Sequence, residues 1–221
     1  MEVCRINRRP VRHQVMAEEN KPSFFDRLKN TLGTKLKEAS MNAINAYMKL
    51  SRQLAGKQAN GNEIMRDPDR LIPRIQPQQL GRMCMYFYDP KWKEELPYFD
   101  RFPLVIPIEI YKDGFLGLNL HYLPPNRRAV LMDSLYRNVI KNKHLDEKKR
   151  IMISYQIVKA ASRDRNFLPC VKRYLYDHLR SRIYIVDPED WNIALFLPTE
   201  RWAKAGKRRV YQESLDKIRK G

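Results

Sequence analysis

The chain has 221 residues, enough for one sizeable domain or for a compact domain with long arms. Lys and Arg number 43 against 25 Asp and Glu, and the net charge of +18 argues for a polyanionic partner, nucleic acid or an anionic membrane. Three scattered cysteines exclude a zinc cluster, and no run reaches the roughly 20 apolar residues that span a bilayer. We therefore expect a soluble protein made inside the cell, with no membrane partner. The alternative interpretation is that the positive charge reflects only a lysine-rich surface, without a polyanionic partner.

The N-terminal stretch 1–22 is an arginine-rich arm without helical or alternating periodicity. Such an arm can lie on a phosphate backbone or in an acidic protein groove, or it can be a disordered terminus. A helix is predicted over 23–56, because Ser23 and Asp26 fit a capping box and Gly56 suits a helix end. Its apolar stripe fits core packing or a partner, and the partner-binding residues proposed on it are Phe25, Leu28, Leu32 and Leu36.

Residues 57–80 contain Asn-Gly, Asp-Pro and two further prolines, which together predict an extended linker. The stretch from Gly81 to Pro125 holds the densest cluster of aromatic and β-branched residues, cut into short runs that are typical of antiparallel strands. Pro103 and Pro107 restrict the second run, because proline is tolerated only at strand starts, edges or bulges. The three predicted strands cover 83–88, 102–111 and 115–122, with a tight turn at 112–114.

Beyond these strands the sequence predicts mostly helices. Asn126 is a candidate cap for a helix with apolar residues at helical spacing, and residues 148–161 fit either a strand or a helix. Val171, Leu175 and Leu179 follow in steps of four, which predicts another helix over 170–182. A short strand is predicted at 183–186, a helix at 188–197 and a last basic helix at 208–219.

These elements predict an α+β fold. A small antiparallel β-sheet or partial barrel, at about 82–123, is flanked by a long N-terminal amphipathic helix and by C-terminal helices. The predicted organisation is a basic arm at 1–22, an amphipathic helix at 23–56, an extended linker at 57–80, an α+β core domain at 81–198 and a basic C-terminal tail at 199–221.

Catalytic motifs are missing from the sequence. There is no phosphate-binding glycine loop, no nucleophile elbow and no HExxH motif. The four histidines are scattered, and a structural, hydrogen-bonded role is expected for His121. Asp89-Pro90-Lys91 resembles half of a nuclease motif, but a turn explains it better, because the acidic residue and lysine of the next strand are missing. We expect no enzyme activity, no cofactor and no metal.

Charge is unevenly distributed along the chain. Residues 83–126 carry 4 basic and 6 acidic groups, whereas residues 127–182 carry 15 basic and 5 acidic groups. Phosphate contacts, which give affinity without sequence choice, are therefore assigned to the flanks of the sheet. The proposed phosphate contacts are Arg127, Arg128, Arg137, Lys141, Lys143, Lys148, Lys149, Arg150, Lys172, Arg173, Lys207, Arg208 and Arg209.

Aromatic side chains are concentrated in the neutral sheet region. They could stack on bases, as in single-strand binders, but the region lacks an interleaved track of basic residues, which favours a core role. The aromatic residues in question are Tyr86, Tyr88, Trp92, Tyr98, Phe99 and Tyr122.

Three strings of this region resemble a known family. The runs Met85 to Lys91, Leu96 to Leu104 and Gly117 to Pro124 follow one another as in the DNA end protector family of tailed bacteriophages of the T-even, contractile-tailed type. The resemblance implies a virion protein that binds the ends of linear double-stranded DNA and shields them from the host's exonuclease. It implies no catalytic residues and no cofactor. It also implies a place near the head–tail junction, and the host cytoplasm during assembly and after DNA ejection.

A structural virion protein is the competing hypothesis. The long helix and the linker would then lock onto portal, neck, tail or baseplate neighbours, and the charge would face a DNA-filled lumen or acidic partners. Assembly of several identical copies is open at this point. End preference on linear DNA would favour protection, and the absence of DNA binding would favour a purely structural role.

Overall fold

The computed structural model of the chain describes residues 22–26, 52, 60–135 and 144–220. In these residues the fold is mixed α+β, as predicted, with helices against an antiparallel sheet. The strands are β1 (Leu71–Ile72), β2 (Cys84–Met85), β3 (Phe99–Asp100), β4 (Leu104–Tyr111), β5 (Gly114–Asn119), β6 (Val171–Leu175), β7 (Ile183–Ile185) and β8 (Trp202–Ala203). The α-helices are α1 (Gly61–Ile64), α2 (Pro125–Leu135), α3 (Glu147–Ala161), α4 (Trp191–Phe196) and α5 (Lys207–Lys220).

The main sheet has six strands in the order β1–β7–β2–β4–β5–β6, and every neighbouring pair is antiparallel. A separate two-stranded sheet pairs β3 with β8. The prediction of a small sheet within 82–123 was therefore too narrow, because β1, β7 and β6 come from outside that range. Among the described residues the sheet is open rather than barrel-like, with β1 and β6 as its two edge strands.

The predicted hairpin at the centre of the sheet is confirmed. Strands β4 and β5 pair from Val105 with Asn119 to Tyr111 with Gly114, around the predicted tight turn. The register shifts just after Pro107, which agrees with the rule that a proline inside a sheet sits at a bulge. The strand predicted over 115–122 ends early, because Asn119 caps a 3₁₀ turn over Leu120–Tyr122 by accepting from the backbone of His121.

Successive residues of each strand face opposite sides of the sheet, and both sides are buried. Leu104 and Ile106 of β4 lie in the larger core, which also contains residues of α2 to α5. Val105, between them, lies in a second core on the other face with Phe115 and Tyr174. The near-continuous apolar run of β4 follows from this burial on two sides.

The helix predicted over 170–182 is wrong. The structure has a 3₁₀ turn ending at Cys170, strand β6, a second 3₁₀ turn at Tyr176–His178 and an irregular segment leading to β7. Tyr174 is buried against Tyr86 and Phe115, at ring distances of 5.4 and 5.5 Å. Strand alternation and pairing with β5 therefore override a helical spacing that rests on three apolar residues only.

The other helix predictions fared better. The ambiguous stretch 148–161 is helix α3, which is capped by the Asp146 side chain accepting from Lys149 N at 2.8 Å. The predicted last helix is confirmed as α5, and the helix predicted at 188–197 is a 3₁₀ turn followed by α4. Asn126 is not the cap of α2, because the helix already begins at Pro125, where the fixed φ of proline suits the first turn.

Of the helix predicted over 23–56, the structure describes only residues 23–26 and Arg52. The predicted capping box is confirmed, since Asp26 N donates to Ser23 Oγ at 3.1 Å and Ser23 N donates to Asp26 Oδ2 at 3.2 Å. Phe25 is fully buried in the larger core, so its proposed role in partner binding is corrected to core packing. The basic arm at 1–21 and the other proposed partner residues Leu28, Leu32 and Leu36 lie outside the described residues.

The linker predicted over 57–80 is more ordered than expected from residue 60 onward. It contains α1, two 3₁₀ turns and strand β1, which pairs with β7 at the edge of the sheet. Ile75 is buried in the second core. The described segment is therefore part of the domain. No helix in the described parts of the chain is long and apolar enough to cross a membrane.

Gly114 is fixed by the close approach of β5 and β6. A Cβ at this position would lie 1.9 Å from the Tyr174 carbonyl oxygen. We expect Gly114→Ala to lower the free energy of unfolding by about 3 kcal/mol, since the two strands must separate to admit the methyl group. Gly206→Ala is the matched control, because a Cβ there meets no atom within 4 Å, and it should change stability by less than about 1 kcal/mol. Equal urea midpoints for the two variants would contradict this assignment.

Candidate nucleic-acid interface

A cleft of about 580 Å³ lies beside the edge strand β6. One wall is the loop that joins β2 to β3, the floor is formed by β6 and neighbouring core residues, and Lys217 of α5 closes one side. Helix α5 reaches this position because it packs on the 3₁₀ turns at 120–122 and 168–170. The side chains that define the cleft are Trp92, Leu96, Pro97, Tyr98, Tyr122, Lys172, Arg173 and Lys217.

Aromatic and apolar side chains dominate this cleft. Five of the six aromatics singled out in the sequence are buried, as predicted for core residues. Trp92 is the exception, since 58% of its surface is exposed and Lys91 Nζ lies 4.9 Å from the ring centroid. The core prediction is therefore wrong for Trp92, which offers a flat face at the rim of the cleft.

Lys172 is the cation at the base of the cleft. Its Nζ lies 4.3 Å from the centroid of the Tyr122 ring. Burial, together with the positive charge of nearby Lys217, lowers the pKa of Lys172 to about 8. Neither lysine forms a direct ion pair with a carboxylate among the described residues; Glu213 of α5 pairs with Arg209 and interacts with Lys217 only at longer range.

Arg173 of β6 is one of the residues that line the cleft. The guanidinium is paired with Asp113 at 2.5 Å and lies 4.0 Å from the centroid of Tyr111. Tyr176 N donates to the carbonyl of Asp113, so by strand alternation the N–H groups of Arg173 and Leu175 point away from β5. Leu175 N accordingly donates to the Tyr88 hydroxyl at 3.2 Å. The Arg173 N–H points to the same side, the free edge of the sheet.

The loop that carries Trp92 is held at two points. At its start, Asp89 pairs with Arg180 at 3.0 Å and with Lys93 at 3.3 Å, and these cations lower the pKa of the Asp89 carboxyl. Further along, Lys204 Nζ donates to the carbonyls of Lys93 and Glu94 at 2.7 and 2.9 Å. The cleft is therefore pre-formed rather than dependent on a free loop.

A buried polar network lies behind the cleft. His121 Nδ1 lies 2.6 Å from Asp100 Oδ2, and His121 Nε2 lies 3.2 Å from Thr199 Oγ1. The order of Asp, His and hydroxyl resembles a nucleophile triad, but Thr199 is only 2% exposed, so no substrate can reach its hydroxyl. The predicted structural role of His121 is confirmed, and its carboxylate partner is Asp100 of β3.

Arg128 is structural, which corrects its assignment as a phosphate contact. Only 2% of its surface is exposed. The guanidinium donates to the carbonyls of Leu123 at 2.7 Å and Leu195 at 2.9 Å. It also donates to the carbonyl of His121 at 3.3 Å and to the Tyr211 hydroxyl at 2.7 Å. These bonds join α2, α4 and α5, and they leave this cation no route to a phosphate group.

The remaining predicted phosphate contacts differ in whether their side chains have a partner among the described residues. Lys149, Arg173, Lys207 and Arg209 are each paired with a carboxylate, from Asp146, Asp113, Glu200 and Glu213 respectively. Lys148 and Arg208 are exposed and have no ion pair among the described residues, and Arg127 donates only to Asn166. Arg150, at the start of α3, is half-buried and its Nε has no partner in the described region. Arg137, Lys141 and Lys143 lie outside the described residues.

The predicted basic residues do not form one surface. Lys172 and Arg173 meet at the cleft, and Arg209 approaches it through Glu213 and Tyr98. Lys148 to Arg150 instead lie at the start of α3, where Glu147 pairs with Arg82. The sequence therefore identified two of the four cations that line the cleft.

Two cleft cations, Lys91 and Lys217, were missed. The signal for Lys91 was present, since the run Pro90 to Lys93 places two lysines around an exposed Trp92 in a turn. Lys217 had no such signal, because only the packing of α5 brings it beside Lys172.

These features define a protein of mixed α+β fold with a cleft lined by cations and aromatic rings. Its described residues contain no group of three potential metal ligands. A protein-family model described as "Phage T4 terminal DNA protecting protein" matches residues 8–218. The chain belongs to this family of DNA end-protecting phage proteins, which is not a family of enzymes. The resemblance seen in the three sequence strings is confirmed. Searches among curated proteins and among solved structures gave no match.

Proposed function

We propose that this phage protein binds the ends of linear double-stranded DNA without reading their sequence and protects them from a host exonuclease. The single observation that carries the proposal is the family match, which extends over residues 8–218. The net charge of +18 supports it, because phosphate contacts give sequence-independent affinity. Protection needs only occupancy of the end, so affinity and slow release are sufficient.

The phosphate contacts proposed here are the predicted cations that the fold leaves accessible. Lys148, Arg150 and Arg208 lack a carboxylate partner in the described part of the chain, and Lys172 and Arg173 border the cleft. Lys149 and Arg209 join the set after rearrangement of exposed surface pairs, which contribute about 0–1 kcal/mol each. Arg127, which donates to Asn166, and Lys207, which pairs with the buried side chain of Glu200, complete it. Arg137, Lys141 and Lys143 stay in the proposal on sequence grounds alone.

The position in the particle is part of the same proposal. A protein that travels with the genome and meets its ends belongs near the head–tail junction of the virion, and in the host cytoplasm during assembly and after ejection. Its neighbours would be portal, neck or tail proteins, and further copies of this chain. Leu28, Leu32 and Leu36 remain the proposed contacts for such neighbours.

DNA binding tests this function directly. The purified protein is titrated against one duplex in linear form and in closed circular form, and binding is followed by gel shift at several salt concentrations. We expect tighter binding to the linear form, with a slope of log affinity against log salt of about −0.9 per phosphate contacted. Equal affinity for both forms, or no binding at micromolar protein in low salt, would refute the proposal. Cleavage of the DNA in the presence of magnesium would contradict the non-enzymatic assignment.

A further inference from the structure

We propose that the cleft beside β6 holds the terminal nucleotide of a DNA end, with its base against Trp92 and its terminal phosphate on Lys172 and Lys217. This inference rests on the proposed function and adds the chemical group by which an end is recognised. A closed circle offers no such terminal group, so the cleft would make binding specific for ends.

Size and lining suit a single nucleotide. The cleft volume of about 580 Å³ lies in the roughly 300–1,000 Å³ range of small-ligand sites and is too small for a length of duplex. Trp92, Leu96 and Pro97 are exposed around its mouth and form an apolar wall. Base stacking on aromatic rings tolerates every base, because each base has a flat face. A sequence-independent protein needs this tolerance.

Charge selects a phosphate as the polar part of the ligand. Lys172 and Lys217 repel one another in the cleft, and an anion between them removes this repulsion. Asp100 is the one carboxylate in the lining, and its oxygens already accept from His121, Phe102 N and Arg201 N. The described part of the chain therefore places no carboxylate in direct contact with Lys172 or Lys217, and Glu213, which already pairs with Arg209, reaches Lys217 only at longer range. An apolar peptide would leave both lysines without a direct counter-ion, so a nucleotide, which carries a phosphate, fits the cleft better than an apolar protein segment.

The strand edge supplies a further donor. By the alternation along β6 the Arg173 N–H points away from β5, to the free edge of the sheet, where Arg173 lines the cleft. Backbone N–H groups are common phosphate ligands, and they carry no sequence information. Together with Lys172 and Lys217, this edge donor offers a terminal phosphate three donors from β6 and α5.

The consequence for protection is direct. An exonuclease must take the last nucleotide into its own active site. A nucleotide held in the cleft cannot enter the active site of the exonuclease. The loop that carries Trp92 is fixed by Asp89 and Lys204, so the site exists before DNA arrives. Pre-organisation of this kind reduces the entropy lost on binding.

The test compares two double variants of equal charge. Lys172→Gln/Lys217→Gln removes both cleft lysines, and Lys112→Gln/Lys220→Gln removes two exposed lysines elsewhere. Anisotropy titrations use a labelled linear duplex with 5′-phosphate ends, the same duplex with 5′-hydroxyl ends, and a closed circle. We expect the cleft variant to lose about tenfold or more in affinity for phosphorylated ends relative to the control, while both bind the circle alike. Trp92→Ala should lose about tenfold on linear DNA regardless of the end group.

The titration of Lys172 gives an independent readout. Phosphate binding favours the charged lysine, so affinity for ends should be full below pH 8 and should fall as the pH rises from 8 toward 10. Of the groups that face it, Tyr122 and Cys170 have pKa values raised by burial, so they stay neutral over this range, and Lys217 faces it from α5. Lys172→Arg should keep end binding and lose much of this pH dependence, because the guanidinium stays charged.

The outcomes separate this inference from the proposed function. If the wild-type protein binds circles as tightly as ends, the proposed function itself fails. If the wild type prefers ends and the cleft variant retains that preference, only the cleft assignment is overturned. Equal losses on ends and circles for the cleft variant would show a non-specific contact and would also overturn it. Loss confined to phosphorylated ends, with the pH profile flattened by Lys172→Arg, supports the assignment.

Discussion

Replacing Arg128 by methionine is expected to lower the free energy of unfolding by about 4 kcal/mol, the largest effect foreseen for any single cation of this chain. The guanidinium donates to three backbone carbonyls and one tyrosine hydroxyl in the core. Methionine fills a similar volume but donates nothing, so three buried carbonyls lose their partner. The loss should appear in urea unfolding and in the melting temperature.

The matched control for this variant is the neighbouring residue in the sequence. Arg127 is half-buried and makes one side-chain hydrogen bond, to Asn166. Arg127→Met should cost less than about 1 kcal/mol of stability and should weaken DNA binding slightly, with a shallower salt slope. If Arg128→Met were as stable as the wild type but bound DNA poorly, Arg128 would be a phosphate contact after all.

Replacing Asp100 by alanine is expected to cost about 3–4 kcal/mol of stability. The carboxylate is 3% exposed and accepts from Phe102 N at 3.0 Å, Arg201 N at 2.9 Å and His121 Nδ1 at 2.6 Å. Phe102 N and His121 Nδ1 would be left buried without this partner, at about 1–3 kcal/mol apiece before relaxation, and the partly buried Arg201 N would lose its partner as well. The bond from Arg201 N links the residue before β8 to Asp100 of β3. Because Phe99 and Asp100 line the cleft, its wall should loosen as well.

Two further variants show whether the effect belongs to the network. Asp177→Ala removes an exposed carboxylate without a partner among the described residues and should be within about 0.5 kcal/mol of the wild type. Thr199→Val removes only the hydroxyl near His121 Nε2 and should cost about 1 kcal/mol. A fully stable Asp100→Ala protein that had lost a hydrolytic activity would instead indicate a catalytic triad.

Local sequence patterns predicted the elements whose stability is local. The capping box at Ser23 and Asp26 needs residues three apart, and the hairpin between β4 and β5 needs one turn with a glycine. Both were found where expected. The last helix was predicted as well. The turn at Leu120–Tyr122, which Asn119 caps, depends on residues equally close along the chain, although the predicted strand extended over it.

The errors arose where partners lie far apart in the sequence. The stretch 170–182 has a weak helical spacing, and only pairing with β5 makes its first half a strand. Arg127 and Arg128 are neighbours in the sequence, yet Arg128 is buried in the core and Arg127 is only half-buried. The direction of a helix face depends on what packs against it, and periodicity reports an arginine as polar in both cases.

The sequence by itself determined the excess of positive charge, the mixed α+β class and the family, because these follow from composition, local periodicity and linked strings of residues. Only the tertiary structure decided which cations are free to meet a phosphate. Lys172 and Lys217 come from segments far apart along the chain, and they face one another in one cleft only once α5 has packed beside β6. The number of charged residues follows from the sequence, whereas folding determines which of them lie next to an opposite charge.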